Sequence, residues 1–369
     1  MKKIYERLWY LLLFGFLFGA PLLYFLAGPY LDRENYENRT LTQAPELSPD
    51  SIRQFPEAFE AYYNDAMPFR NYLVRADSAI SYYLFHDSSS DDVIAGKEGW
   101  LFFTGEDGKS LEQYLGRKRY TKKELRLIAE NLVTTRDYLA ERGCEFVLAI
   151  APNKERIYQE YMPDAYGSFS SCCTDQLLDY LREHTDLRVL WLEDDLKAYR
   201  QEHPEDLLYY RLDTHWNLLG GYIGARAVLK ELGVTIPEPS ALEKTKKEGS
   251  PADLARLLNL RNELMDSDMD YVLADLPAPA LEIEMEDGNT FYRYHRSGKD
   301  GRKLLVWRDS FCDAMRYVLA GEFNESCMVK GSYFTKDVVE AEAPDLFVME
   351  LVERTEDYLK EFVLREDAA

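Results

Sequence analysis

Two stretches of the sequence carry residue types that can perform acid–base and nucleophilic chemistry. In RLDTHWNLLG, residues 211–220, His215 follows Asp213 by two positions just before an amphipathic helix begins. Residues two apart in an extended segment point the same way, so the Asp213 carboxylate can hold one ring nitrogen of His215. In VWRDSF, Ser310 stands between a predicted buried strand and a helix, a turn where helix N-terminal amides favour negative charge. These residues predict an acyl-transfer triad of Ser310 as nucleophile, His215 as base and Asp213 as its orienting group.

Each member of this predicted triad also has a purely structural interpretation. Asp213 or Thr214 could cap the helix that follows them, and Ser310 could cap the next helix. His215 could be a histidine satisfied within the core, while the remaining histidines are predicted to be solvated: His86, His184, His203 and His295.

A third stretch, CEFVLAIAPNK at residues 144–154, ends a continuous apolar run with Asn153 and Lys154. Such runs are typical of strands buried on both faces of a parallel sheet, and ligands bind at the carboxyl ends of those strands. Asn153 and Lys154 are therefore candidate oxyanion or substrate contacts, with ordinary turn residues as the alternative. Arg308, two positions before Ser310, is a third candidate contact of this kind.

The elements that must position these residues alternate between strands and helices, which predicts an α/β domain with a parallel sheet. A hairpin is predicted at 92–103, and helices are predicted at 121–143 and 174–184. A third helix is predicted to begin after residue 217, and a fourth follows residue 311 and ends near residue 320. The predicted strands cover residues 144–154, 187–196, 303–311 and 345–354.

The chain is predicted to have three parts. Residues 1–30 form a membrane anchor, residues 31–91 a linker with two helices, and residues 92–369 the α/β domain. Residues 237–300, with five prolines and a charged stretch, depart from the alternation and are predicted to be an insertion that could act as a small lid.

The N-terminus predicts both the anchor and its orientation. Residues 8–27 are apolar and uncharged, and about 20 such residues span a bilayer core. Lys2, Lys3 and Arg7 precede this run while acidic residues follow it, which predicts a cytoplasmic N-terminus and an extracytoplasmic domain on a single-pass anchor. A cleaved signal peptide is the alternative.

Composition limits the possible partners. The chain of 369 residues has 44 Lys and Arg against 66 Asp and Glu, a net charge of −22, which argues against nucleic-acid binding. Its five cysteines have no metal-ligand spacing, so neither a zinc site nor a disulfide framework is predicted.

Taken in order, five motifs resemble the alginate O-acetyltransferase AlgX/AlgJ family, SGNH-hydrolase-like proteins also described by a DHHW motif. The motifs are VIAGKEGWLFF, VLAIAPNKERIYQEYMP, YYRLDTHWN, VWRDSF and LFVMELVER, and the resemblance covers residues 35–360. It implies a three-layer SGNH-type α/β/α domain that acetylates an exported polysaccharide outside the membrane, with the Asp-x-His pair preceding the serine. It also implies that a multi-pass membrane O-acyltransferase supplies the acetyl group, and that the reaction needs neither a cofactor nor a metal. Arg308 stands where the family usually has glycine.

Two other functions fit the same residues. A carbohydrate acetyl esterase would use the same triad with water in place of a sugar hydroxyl. A non-catalytic assembly protein of a polysaccharide-export complex would need none of the triad, and Arg308 is the residue that motivates this alternative.

Overall fold

The computed structural model describes residues 2–15, 19, 26, 40–48, 51–67, 70–105, 109–274, 282–286 and 290–365. The chain divides into two compact units. One comprises Met1–Ser90 and Ala255–Arg261, and the other Asp91–Leu254 and Asn262–Ala369.

The first unit contains the helices Lys2–Phe14, Phe55–Ala66 and Arg70–Ile80, the last followed by a π-helical turn at Ser81–Phe85. The second of these ends where Met67 becomes extended. Much of the predicted anchor lies outside the described residues, at 16–18, 20–25 and 27–30, as do residues 31–39 of the predicted linker. Among the described residues, no helix combines the length and apolarity needed to cross a bilayer.

The strands in the described part of the second unit are β1 (Val93–Ala95), β2 (Leu101–Phe103), β3 (Glu145–Ala151), β4 (Val189–Trp191), β5 (Lys244–Glu248), β6 (Met269–Leu273), β7 (Glu282–Glu286), β8 (Phe291–His295), β9 (Asp300–Arg308), β10 (Phe323–Lys330) and β11 (Leu346–Val352). Seven of them form one sheet, in the order β4-β3-β11-β9-β10-β8-β7. Apolar residues fill most of β3 and β11 and the second half of β9, as is typical of strands buried on both faces.

The sheet is mixed, so the prediction of a wholly parallel sheet is wrong at one edge. Adjacent strands among β4, β3, β11, β9 and β10 are parallel to each other, whereas β8 pairs antiparallel with β10 and β7 pairs antiparallel with β8. Both antiparallel strands come from residues 282–295, inside the segment predicted as an insertion. That segment also contains β5 and β6, which form a two-stranded sheet of their own.

Helices cover both faces of this sheet, which makes the domain three-layered. Along β3, Val147 and Ala149 belong to one apolar cluster while Phe146 and Leu148 belong to another, as the alternation of a strand requires. The helix bounds in this unit are Lys109–Tyr114, Lys122–Ala140, Lys154–Ile157, Cys173–His184, Glu193–Glu202, Leu218–Glu231, Cys312–Ala320 and Lys336–Glu342; Asp253–Leu257 and Arg261–Leu264 cross the boundaries between the two units.

Most predicted elements have different bounds in the structure, and two of them show a physical reason. The helix predicted at 121–143 runs from Lys122 to Ala140 because a capping box at Thr121 and Glu124 begins it. The strand predicted at 187–196 ends at Trp191, since Glu193, Asp194 and Asp195 form the first turn of a helix, where the helix dipole favours acidic residues.

Candidate active site

The loop from Tyr209 to Trp216 carries Asp213 and His215. Its ends meet, because Tyr209 and Trp216 form an isolated antiparallel bridge. One carboxylate oxygen of Asp213 accepts hydrogen bonds from the His215 amide at 3.0 Å and from the ring Nδ1 at 2.7 Å. A carboxylate can only accept, so Nδ1 carries the proton and Nε2 of the neutral ring is an acceptor.

Ser310 lies within hydrogen-bond distance of Nε2 of His215. Its Oγ is 2.8 Å from Nε2 of His215, across a sequence separation of 95 residues. Two contacts hold the surrounding segments together: the Trp216 indole donates to the Phe311 carbonyl at 2.8 Å, and the rings of His215 and Phe311 lie 5.0 Å apart. The structure therefore brings Asp213, His215 and Ser310 into one hydrogen-bonded chain.

The turn that carries Ser310 is fixed by Asp309. One carboxylate oxygen of Asp309 accepts from the Phe311 amide and the other from the Val352 amide, both at 2.7 Å. Val352 ends β11, the strand next to β9, so Asp309 ties the serine turn to the carboxyl edge of the sheet. Asp309 lies inside the VWRDSF motif, but its role was not predicted from the sequence.

Asp213 and His215 stabilise each other's charged forms. Burial by itself disfavours both charges, but the hydrogen bond and charge of Asp213, together with the charge of Asp253, raise the pKa of His215 above its ordinary value. Against the same burial, His215 and the amides of His215 and Asp253 lower the pKa of Asp213. Asp213 is therefore an ionised carboxylate beside an imidazole that accepts a proton readily.

The helix-cap interpretations are not what the structure shows. Asn217 caps the helix Leu218–Glu231, its side-chain oxygen accepting from the Gly220 amide at 3.1 Å, so neither Asp213 nor Thr214 is needed there. The helix after Ser310 begins with Phe311 in the capping position and has no side-chain cap hydrogen bond.

Lys154 stabilises the loop that carries His215, and it does not line the cavity at Ser310. Its ammonium group donates to the carbonyls of Tyr210, Arg211 and Asp213, at 3.2, 3.2 and 2.7 Å. The residue is 2% exposed, and burial lowers its pKa to about 8. The predicted substrate or oxyanion contact is thus a positioning residue for Asp213.

Asn153 also lies in a buried network. Its side-chain amide donates to Gln113 at 3.2 Å, its side-chain oxygen accepts from Arg354 at 3.4 Å, and its backbone amide donates to Glu353 at 3.0 Å. It is absent from the residues that line the cavity at Ser310, so the structure does not place it as a contact of that cavity.

Arg308 does not line the cavity at Ser310 either. Its side chain is 1% exposed, pairs with Asp313 at 3.1 Å and lies 5.3 Å from the ring of Tyr292 on β8. The guanidinium is thus bound to Asp313 and to the Asp309 carbonyl, and the structure does not place it as a contact of the cavity.

Two further carboxylates support the loop, and the sequence analysis missed both. Asp268 is fully buried and accepts from the amides of Arg211 and Leu212 at 3.0 and 2.8 Å. Asp253 accepts from the amide and the hydroxyl of Thr214 at 2.7 and 2.6 Å, and its own amide donates to Asp213. Both lie within residues 237–300, and neither belongs to a motif that indicates this role. Each precedes a short apolar run, which is a weak pattern for a loop-supporting carboxylate.

A cavity of about 450 Å³ opens at the triad. It is lined by Tyr210, Asp213, His215, Trp216, Leu218, Pro251, Asp253, Asp270, Ser310, Phe311, Asp313 and Ala314. A cavity of this size admits one or two sugar rings or a small acyl donor beside the serine.

Two groups of described residues have metal-ligand types close together. Ligand atoms of Asp213, His215 and Asp253 lie within 4.8 Å of one another, but the first two already share the 2.7 Å hydrogen bond. In the group of His203, Glu205 and Asp206, the last is ion-paired with Lys244, which opposes a second cation.

Comparison with known proteins identifies the domain. Residues 93–273 match the family model described as an SGNH hydrolase-like domain of the acetyltransferase AlgX. Over these residues the α/β domain is AlgX/AlgJ-like. The matched region includes Asp213 and His215 and ends before Ser310.

Curated relatives of this AlgX/AlgJ-like chain are probable alginate O-acetylases named AlgJ. The protein from Pseudomonas aeruginosa is 29% identical over 191 residues, covering 50% of this chain and 43% of the relative. That from Pseudomonas syringae pv. tomato is 26% identical over 193 residues, covering 52% and 44%. The chain thus spans less than half the length of either relative.

Solved structures show the same fold at low sequence identity. Bacillus cereus PatB1 with a sulfonyl adduct has a TM-score of 0.53 and 13% identity, over 74% of this chain and 100% of that one. A DHHW family protein from Eubacterium siraeum has a TM-score of 0.52 and 16% identity, over 74% and 99%.

Proposed function

We propose that this chain is an O-acetyltransferase that moves acetyl groups onto hydroxyls of an exported or cell-surface polysaccharide through an acyl-enzyme on Ser310. The observation that carries the proposal is the continuous hydrogen-bond chain from Asp213 through His215 to Ser310, at 2.7 and 2.8 Å, opening into a cavity. The similarity to probable alginate O-acetylases supports acetyl as the group transferred.

The chemistry has two balanced steps. Ser310 Oγ attacks the acetyl carbonyl while its proton passes to Nε2 of His215, which then protonates the leaving group of the donor. A sugar hydroxyl next attacks the acetyl-serine, its proton passes to Nε2, and Ser310 recovers a proton as the ester leaves. Asp213 stabilises the imidazolium in both steps and remains ionised.

The tetrahedral intermediate of each step carries an oxyanion. The Phe311 amide is already bound by Asp309, so we assign the oxyanion to the amide of Ser310 itself, at the start of the helix Cys312–Ala320. One such donor is worth about 3 kcal/mol in acyl-transfer enzymes.

The wider setting follows from the sequence. The apolar run at residues 8–27, with basic residues before it, supports a single-pass anchor and an extracytoplasmic domain. Acetyl must then reach the outer side, and a multi-pass membrane O-acyltransferase is the proposed partner that supplies it. The proposed chemistry requires no cofactor.

A serine-directed sulfonyl fluoride tests the nucleophile. Full-length protein in detergent should be labelled on Ser310, and labelling should fall at least about a hundredfold in His215→Ala because the base is lost. His184→Ala is the matched control, since that histidine is exposed on a helix and should leave labelling unchanged. Folded wild-type protein that never labels at Ser310 contradicts the assignment.

Acetyl transfer and hydrolysis are separated by their products. With an activated acetyl ester and a soluble oligosaccharide, the proposal expects acetylated sugar to form faster than free acetate. Acetate alone, at every acceptor concentration, would make the protein an esterase.

A further inference from the structure

Two helices continue directly from the two halves of the proposed triad. The helix Leu218–Glu231 begins three residues after His215, and the helix Cys312–Ala320 begins two residues after Ser310. The 2.8 Å between Nε2 of His215 and Oγ of Ser310 is therefore linked to how closely these two helices approach each other.

Gly221, in the first of these helices, lies where it meets the second. A Cβ atom on Gly221 would overlap Cβ of Ala314 and would lie 2.8 Å from its carbonyl carbon and 2.9 Å from its carbonyl oxygen. Non-bonded carbon atoms need about 3.5 to 4.0 Å, so a side chain at this position would force the helices about 1 Å apart. Because two of the three contact atoms belong to the backbone, no side-chain rotation can relieve the overlap.

Backbone conformation does not explain a glycine at this position. Gly221 is buried inside a helix and is not among the glycines with positive φ. Alanine is the better helix former, and replacing glycine by alanine in a helix interior normally stabilises the helix. The close approach of Ala314 is the feature that requires glycine.

The same helix is also packed against the loop that carries His215. A Cβ atom on Gly220 would overlap the Leu208 carbonyl oxygen, and one on Gly224 would lie 2.9 Å from the ring of Trp216. Trp216 follows His215 in the chain, and its indole donates to the carbonyl of Phe311, the residue after Ser310. A displacement at Gly221 is therefore transmitted to one of the two segments that carry the triad.

We infer that Gly221 is a positioning residue for the proposed acyl transfer, because its missing side chain sets the helix separation at which Ser310 and His215 form their hydrogen bond. This inference rests on the proposed function and deepens it. Gly221 is absent from the residues that line the cavity, so its effect passes through Ala314, which lies in the helix that follows Ser310.

Gly221→Ala in the full-length protein in detergent tests the inference. We expect kcat for acetyl transfer and the rate of Ser310 labelling by a sulfonyl fluoride each to fall about a hundredfold, the cost of about 1 Å of misplacement between reacting groups. A role confined to stability would lower the melting temperature and leave both rates unchanged per folded molecule. Labelling of folded Gly221→Ala protein at the wild-type rate overturns the inference.

A control and a compensating change make the test specific. Gly301→Ala adds the same methyl group where nothing lies within 4 Å, and both rates should stay at the wild-type value. Ala314→Gly in the Gly221→Ala background removes the overlapping Cβ but leaves the backbone contacts, so we expect about a tenfold recovery of labelling. No recovery would mean that the contact with Ala314 is not the cause, and overturns the inference.

The double variant also decides the question if Gly221→Ala alone does not fold. Its backbone overlap is smaller but still present, so it should label about tenfold more slowly than Ala314→Gly alone. Equal labelling rates for these two proteins overturn the inference.

The two proposals fail separately. If the wild-type chain labels on Ser310 and transfers acetyl, and Gly221→Ala does both at the same rate, the proposed function stands and the positioning role is overturned. If the wild-type chain labels but acetylates no acceptor, and labelling falls in Gly221→Ala, the proposed function is overturned while the positioning role is supported.

Discussion

The loop with Asp213 and His215 and the turn with Ser310 are built in different ways. The turn is fixed by a residue of its own motif, Asp309, which binds the amides of Phe311 and Val352. The loop is held by side chains from distant parts of the chain: Lys154 binds its carbonyls, and Asp253 and Asp268 bind its amides.

This difference has a physical origin. A strand-to-helix turn is short and its helix supplies amides at a defined position, so one local carboxylate is enough to fix it. A loop whose peptide groups are buried needs a partner for each one, and these come from whichever elements the fold places nearby. The nucleophile therefore depends on a local motif, while the base depends on the tertiary structure.

The largest expected effect is at the Asp213–His215 bond. Asp213→Asn should lower acetyl transfer about 10⁴-fold, because an amide that donates to Nδ1 forces the wrong tautomer on His215. Asparagine keeps one acceptor oxygen for the Asp253 amide, but its NH2 group then faces the His215 amide, so we expect the fold to be retained at a cost of about 1 to 2 kcal/mol in stability. Near-normal activity in folded Asp213→Asn protein would reduce Asp213 to a structural residue.

Lys154→Met tests whether the loop depends on its distant support. Three carbonyls lose a buried donor, so we expect about 3 kcal/mol of lost stability and about a hundredfold lower activity through displacement of Asp213. Lys123→Met, on an exposed helix face, should have neither effect. If activity survives in folded Lys154→Met protein, the loop keeps its shape without Lys154.

The same contrast explains how much of the site the sequence could predict. Asp213, His215 and Ser310 belong to short motifs, and the structure brings them together. Asp253 and Asp268 are separated from their loop partners by 39 and 56 or 57 residues, and no local pattern announces such contacts. The position of Lys154 at a strand end predicted a substrate or oxyanion contact, but its hydrogen bonds to the loop carbonyls depend on tertiary packing.

For the fold, continuous apolar runs predicted the central strands correctly. β10, with the sequence FNESCMVK, was missed because polar residues interrupt its apolar pattern before the buried half begins. β7 and β8 lie in the segment predicted as an insertion, because its five prolines and its charged stretch interrupt the alternation of strands and helices. Strand pairing in the mixed edge depends on contacts that a single strand's pattern does not encode.

A smaller effect is expected at Asn217, which caps the helix beyond the loop. Asn217→Ala removes its bond to the Gly220 amide and its donation to the Leu207 carbonyl, at a cost of about 1 to 2 kcal/mol in stability. Acetyl transfer below the melting temperature should stay within about threefold of wild type, since the loop keeps its other supports.

Thr121→Ala is the matched cap control, because it removes the capping box of a helix on the other face of the sheet. It should cost about 1 kcal/mol and leave acetyl transfer unaffected. A loss of activity in Asn217→Ala far beyond that of Thr121→Ala would mean that the cap also positions His215.

The smallest effect is expected at Asp253, and it concerns pH. His215 must be neutral to accept the Ser310 proton, so kcat/KM falls as pH drops through the raised pKa of His215, and this acid limb should lie above the ordinary histidine pKa of about 6.5. Asp253→Asn removes one of the charges that raise that pKa and keeps an acceptor for the Thr214 amide, so the acid limb should move to lower pH. The free energy of unfolding changes with pH in the opposite direction to activity. The stability that protonated His215 contributes is complete below the pKa of His215 in the unfolded chain, and it is lost as pH rises through the pKa in the folded protein. Asp179→Asn, which removes an equal charge from an exposed helix face, should leave the limb in place. An acid limb that stays fixed or rises in Asp253→Asn would show that the distant carboxylate supports the loop backbone without tuning the base.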